Sequence, residues 1–208
     1  MKTGRTVDAL ADEYLGHLER DRAVKPSTLR DYRSILNAHI RPEFGPSAPE
    51  DVTAAHVERW QRTLTTAKTG RALSNRTRVK VLTLLNGLMS YAVARYRLPS
   101  NPVAEVTKPK THAAAGIDVL NVEEVWALVR HAATDQDAAV YLTAALTGLR
   151  RGELVALRWR HVDFASSSIR VVESYAGDTL TAPKSHQGRT VPLAPEKQAL
   201  RAARPALP

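Results

Sequence analysis

Two stretches decide the reading of this chain: TGLRRGELVALRW, Thr147 to Trp159, and APKSHQGRTVPL, Ala182 to Leu193. In the first, an apolar helix ends at Gly148, which supplies a backbone break, and Arg150 follows at the predicted start of the next helix. A guanidinium beside a helix N-terminus is a phosphate-binding arrangement, because the free amides and the cation attract the same anion. Glu153 lies three residues on, one helical turn from Arg150, where it can orient that side chain. Alone, an Arg-x-x-Glu pair is an ordinary surface ion pair contributing little. The second stretch is short and β-branched at its end and carries Lys184 in a turn-rich segment.

Working outward, the segment after Asp163 changes character: SIRVVES and GRTVPL read as strands of a small antiparallel sheet. Before the box Thr147–Trp159, Asn121 and Glu124 form a cap-like pair ahead of a helix carrying Val125, Trp126 and Val129. A second helix is expected over roughly Gln136 to Leu146, and a short third one through Glu153, Leu154 and Leu157. Pro195 to about Ala203 reads as the start of another helix.

The first hundred residues read as four helices. Val7, Leu10, Ala11, Tyr14, Leu15 and Leu18 form one apolar stripe. Ser27 is the expected N-cap of a second helix bearing Leu29, Tyr32, Ile35 and Leu36. RPEFGPSAPED, with three prolines and a glycine, is not expected to be helical throughout. Thr53 caps the third helix, with Val52 and Val57 placed as a hydrophobic staple and Trp60 and Leu64 continuing the face. The fourth begins near Ser74 or Asn75 and runs to about Tyr96, with Val79, Leu82, Leu85, Leu88, Met89 and Val93 as its stripe. The expected domains are therefore residues 6–106, a linker over 107–118 centred on KPKTHAAAG, and residues 119–208. The fold class is mainly α with a small antiparallel β-sheet.

Charge adds a partner class. The net charge of +9 and pI near 10.1 point to a polyanion, nucleic acid first. Lys68, Arg71, Arg76, Arg78 and Lys80 cluster with no acidic residue among them. Cations in the first turns of a helix oppose its dipole at a cost of about 0.3–1 kcal/mol each, and a bound phosphate reverses that cost. Lys68, Arg71, Asn75, Arg76, Arg78, Lys80 and Arg151 are the candidate DNA contacts; Lys108 and Lys110 add only charge. There is no cysteine, hence no disulfide or thiolate site. The carboxylates form no metal-ligand cluster, and no cofactor is called for. No apolar run is long enough for a membrane span and no signal core is present, so a cytoplasmic protein is expected.

The whole run TGLRRGELVALRWRHVDF resembles box I of the tyrosine recombinases, the phage-integrase family of DNA strand-exchange enzymes. The resemblance implies that Arg150 binds the scissile phosphate and that Glu153 supports it; Leu157, Trp159 and Asp163 match the positions that close the box. It also implies that Lys184 is the hairpin lysine that protonates the leaving 5′ oxygen. Residues 6 to 97 look like the family's helical, SAM-like core-binding domain, and the rest like the first part of its catalytic domain. The implied partner is double-stranded DNA at a recombination site, with self-association or other recombinase protomers on it.

The family also needs a His-x-x-Arg motif and a nucleophilic tyrosine downstream of the hairpin, and the sequence reaches Pro208 without them. His17 to Arg20 and His186 to Arg189 are chance matches to the former. Tyr14, Tyr32 and Tyr91 read as core; Tyr96, Tyr141 and Tyr175 also precede the hairpin. Strand cleavage needs the attacking group, a cationic clamp and an acid, so an incomplete, inactive recombinase that binds DNA is the expectation. The alternatives are a non-catalytic DNA-binding regulator that occupies recombination sites and, last, a helical protein-interaction module. Residues 6–106 are expected to fold alone, and 117–208 to be marginal or to associate through exposed apolar surface.

Overall fold

The computed structural model describes residues 4–66, 69–111, 116, 118–177, 179–182 and 187–193. The chain divides into two compact units, Met1–Ala114 and Ala115–Pro208.

The first unit is built of helices around one core. Helix α1, Val7–Arg20, is capped by the Thr6 hydroxyl, which accepts from the Ala9 amide, and buries Val7, Leu10, Ala11, Leu15 and Leu18. Helix α2, Pro26–Ile35, starts two residues earlier than expected: Pro26 occupies its first turn, Lys25 is the capping residue, and Ser27 lies inside the helix. Proline's fixed φ suits that first position and its missing N–H is not needed there. The chain stays helical beyond α2 through a π-type turn, Leu36–Ile40, into a last short turn, α3, Arg41–Phe44. Pro42 is tolerated because it falls in that turn's first residues. Arg41 ties α3 back to α1 through an ion pair with Asp8 at 3.1 Å.

Helix α4, Ala54–Thr63, is capped by Thr53, whose hydroxyl accepts from the His56 amide, and both Val52 and Val57 are buried as a staple requires. Between α4 and α5 the chain folds back on itself: Thr65 bridges to Ala72, and Leu73 N–H donates to the Leu64 carbonyl at 2.9 Å. Helix α5, Asn75–Tyr96, capped by Ser74, is the hub. It packs against α1, α2 and the turns at Leu36–Ile40 and Pro102–Glu105. Being covered from several sides, it buries Val81, Leu84 and Ala92 as well as Leu82, Leu85, Leu88 and Met89, whereas Val79 and Val93 are half-buried. Phe44 and Trp60, ring centroids 4.9 Å apart, meet edge to face in the same core. Tyr14, Tyr32, Tyr91 and Tyr96 are half-buried against it, and both Tyr91 and Tyr96 donate to the Glu13 carboxylate.

The second unit pairs helices with a sheet. Helix α6, Val122–Arg130, opens with the expected capping box: Glu124 N–H donates to the Asn121 side chain at 2.9 Å, and Asn121 N–H to the Glu124 carboxylate at 2.8 Å. Helix α7, Asp135–Thr147, ends at Gly148, whose φ of +60° is the left-handed conformation that terminates helices at low cost only in glycine. Helix α8, Arg151–Val155, is shorter than expected, leaving Leu157 beyond its end. The sheet is antiparallel with order β1-β2-β5: Val162–Asp163, Ser168–Val171 and Arg189–Pro192. A separate hairpin pairs β3, Ser174–Ala176, with β4, Thr179–Thr181. Of SIRVVES, Ser168–Val171 form β2, and only Ser174 belongs to the other sheet, where it opens β3. The expected helix from Pro195 lies outside the described residues. Among the described residues, no helix is long and apolar enough to cross a membrane.

Candidate functional site

Three elements converge on Glu153. Gly148 ends α7 and turns the chain so that Arg150 immediately precedes α8, with Glu153 one turn inside it. Strand β5 then brings Arg189 to the same point, because Val171 of β2 registers against Arg189 and Ile169 against Val191. Along β5 the inward positions are Arg189 and Val191, and Val191 packs on the cluster of Leu149, Ile169, Val171 and Leu193. Alternation of a strand therefore aims the Arg189 side chain at the core side of the sheet.

Glu153 is 2% exposed. An isolated carboxylate at such a place would be very costly, and it persists because four hydrogen bonds satisfy it. Arg189 donates in fork geometry, Nη1 to Oε1 at 2.7 Å and Nη2 to Oε2 at 2.8 Å. Arg150 gives its backbone N–H to Oε2 at 2.9 Å and Nη1 to Oε1 at 3.2 Å. The Arg189 hydrogen bonds, chiefly, hold the Glu153 carboxyl down to about 2, against the opposing effect of burial. The same contacts push the Arg189 guanidinium further up.

Glu153 does meet Arg150, but its principal partner is Arg189, which in the sequence reads only as the end of a chance His-x-x-Arg string. The signal that could have found it is the alternation of R-T-V-P, which places Arg189 on the face of Val191. Arg150 keeps 59% of its side chain exposed, and Arg151 beside it is exposed as well. Because α8 spans only Arg151–Val155, the field of its terminus is small, and the positive character of the site is that of the guanidinium groups.

Close packing fixes this geometry. A Cβ added at Gly152 would lie 2.3 Å from the Tyr175 carbonyl oxygen and 2.7 Å from Ser174 Oγ. Only glycine lets α8 approach β3 so closely. Asp163, which closes the box, accepts from the amides of Ala165 at 2.8 Å and Ser166 at 3.1 Å and so shapes the β1–β2 turn; the Ser166 side chain first, and then these two amides, lower its carboxyl. Trp159 stacks on Phe164 with centroids 6.4 Å apart. Lys184 lies outside the described residues, as do Lys68 and His186.

In the first unit the remaining basic candidates gather at the start of α5. Arg71, Arg76 and Lys80 are exposed and form no ion pair among the described residues. Arg71 is held by the folded-back segment, whose Thr66 N–H donates to the Arg71 carbonyl at 2.8 Å. Arg78 is half-buried, and its Nε is buried without a partner among the described residues. The Asn75 amide donates to the Lys110 carbonyl at 2.9 Å, which brings that backbone to the start of α5. Among the described residues, no group of acidic or histidine side chains is arranged to hold a metal.

Comparison with known proteins agrees with this architecture. Residues 6–65 match the family described as phage integrase, N-terminal SAM-like domain. A putative prophage phiRv2 integrase of Mycobacterium tuberculosis is 30% identical over 181 residues, covering 85% of this chain and 46% of that protein. Tyrosine recombinase XerC of Yersinia pestis is 27% identical over 187 residues, covering 88% of this chain and 57% of its own. The chain thus spans about half the length of the curated relatives it matches. The Tn1549 transposon integrase, solved in complex with a circular intermediate DNA, superposes with a TM-score of 0.76 at 18% identity, over 96% of this chain and 65% of that one. A lambda integrase tetramer bound to a Holliday junction gives 0.69 at 20% identity, over 94% and 53%. These two likenesses are of fold. Residues 6–65 thus carry the phage integrase N-terminal SAM-like domain, and the chain as a whole is similar to the tyrosine recombinases and prophage integrases over most of its length.

Proposed function

We propose that this chain binds double-stranded DNA as part of a site-specific recombinase or integrase, with Arg150 as the clamp for a backbone phosphate. The observation that carries this reading is the Arg150 guanidinium itself, largely exposed yet fixed at its base by a buried carboxylate. Such a cation is pre-aimed without being hidden, which is what recognition of a phosphate oxygen requires. Glu153 supports it. Lys184 is the proton donor to the leaving 5′ oxygen by resemblance. Arg71, Arg76, Arg78, Lys80 and Lys68, with Asn75 and Arg151, supply contacts that position the duplex. The relatives are named as integrases and tyrosine recombinases; the resemblance adds recombination through a phosphotyrosyl intermediate as the parent activity, and further protomers on the same DNA go with the tetramer that lambda integrase forms on a Holliday junction. A cytoplasmic location goes with that substrate.

The test is affinity for duplex DNA measured across a salt series. Binding should weaken steeply with salt, with a logarithmic slope of about −0.9 for each phosphate neutralised. Arg76→Gln with Lys80→Gln should flatten that slope by about two units. A salt-independent affinity, or a slope untouched by the double variant, would refute the reading. For a polypeptide of these 208 residues the expected behaviour is binding without cleavage. A suicide DNA substrate that trapped a covalent adduct would show otherwise.

A further inference from the structure

The charges around Glu153 do not balance in pairs. One buried carboxylate faces two guanidinium groups, and they hold it unequally. Arg189 spans both oxygens at 2.7 and 2.8 Å, whereas the Arg150 side chain reaches one oxygen at 3.2 Å. Arg189 is itself only 34% exposed, against 59% for Arg150. Fork-on-fork pairing at short distance is the stronger of the two contacts. The negative charge is therefore matched by Arg189, and the cluster's surplus positive charge resides on the more exposed Arg150.

We infer that Arg189 is a positioning residue: by neutralising Glu153 it leaves the charge of Arg150 available for an anion, while Glu153 still fixes the direction in which Arg150 points. Without Arg189 the same carboxylate would draw Arg150 inward as its only counter-ion, and an ordinary intramolecular ion pair would replace an anion clamp. The inference rests on the reading of Arg150 as a phosphate clamp. It assigns no contact between Arg189 and DNA; Arg189 acts through Glu153.

Binding of a short labelled duplex to the full 208-residue chain, at one fixed low salt, tests it, with thermal melting of each variant followed in parallel. Arg150→Gln should weaken binding by about tenfold, the ordinary loss for one charged hydrogen-bonding contact. Arg189→Gln should weaken it to a similar degree, and combining the two should add little, since both remove the same available charge. Glu153→Gln together with Arg189→Gln should restore affinity to within about twofold to threefold of the parent, because Arg150 is then again uncompensated. A residue that mattered only for folding would give no such rescue. Arg189→Lys keeps the charge but not the fork, so it should bind nearly as the parent does even where Arg189→Gln melts too early to be measured.

The possible failures are distinct. If Arg150→Gln leaves binding unchanged, the phosphate-clamp reading falls and this inference with it. If Arg150→Gln weakens binding but a folded Arg189→Gln does not, only the inference falls. It falls equally if the losses from Arg150→Gln and Arg189→Gln add in full, or if Glu153→Gln combined with Arg189→Gln binds no better than Arg189→Gln alone. Arg189→Lys binding as poorly as Arg189→Gln would overturn it too.

Discussion

The two units solve the problem of burying apolar surface differently. In the first, one core runs continuously from Val7 to Val106, and the described residues leave no large apolar side chain exposed. In the second, the sheet core is Leu149, Ile169, Val171 and Leu193, and α6 buries none of its residues. The exposed large apolar side chains among the described residues all belong here: Val119 is 81% exposed, Val122 68% and Val155 63%. The first unit is held by packing. The second depends in larger part on one buried ion cluster and one close helix–strand contact, and it presents apolar surface of the kind that marks association sites.

The largest expected effect breaks the first unit's mode of stabilisation. Phe44, fully buried against Trp60, should lose about 3–5 kcal/mol on Phe44→Ala. Two-probe melting would show this as an early transition confined to the first unit, with Trp60 as its reporter. A fragment of residues 6–106 should melt cooperatively at the temperature of that unit in the whole chain, while 117–208 alone should melt lower or associate. Equal melting of the fragments, with no association, would remove the contrast.

Next comes Glu153. Its carboxyl sits at about 2 in the folded chain against an ordinary 4.5. A depressed folded value stabilises above the unfolded value, and that stability is lost as pH falls through the folded one. The second unit should therefore weaken between about pH 4.5 and 2 by a total on the order of 3 kcal/mol. Glu153→Gln should be destabilised at neutral pH and show a flatter acid response. Acid titration followed by circular dichroism measures both, and an unchanged acid profile in Glu153→Gln would mean that the cluster is not what holds this unit.

Gly152→Ala places a methyl group 2.3 Å from the Tyr175 carbonyl oxygen, so α8 and β3 must separate, at about 1–3 kcal/mol. Denaturant melting should find the loss in the second unit only. The smallest effect is Val155→Asp. At a site 63% exposed, stability should move by no more than about 0.5 kcal/mol, whereas self-association at high concentration, read by sedimentation, should fall. Association unaffected by this change would mean that another part of the apolar surface is responsible.

Much of the first unit was legible because its signals are local. Thr53 and Ser74 cap where they were expected, and the stripes of α1 and α5 follow a helical period. One misreading came from competition between local signals, in which Pro26 outranked Ser27 as the start of α2; RPEFGPSAPED is only partly helical, as its three prolines and glycine require. In the second unit the Asn121–Glu124 box and the Gly148 break were equally readable. What was missed had no local marker. SIRVVES reads as one β-branched run, yet its strand ends at Val171, because strand partners and not propensity decide where a ladder ends.

The sequence by itself determined the helical frame of the first unit, the family resemblance of Thr147–Trp159 and the identity of Arg150 and Glu153 as neighbours on one turn, since all of these depend on residues a few positions apart. Only the tertiary structure decided that Glu153 is buried and that its main partner is Arg189, thirty-six residues away. That pairing exists because β5 registers against β2 and turns Arg189 toward the core, and a register is set by packing between elements, which no periodicity within either element records.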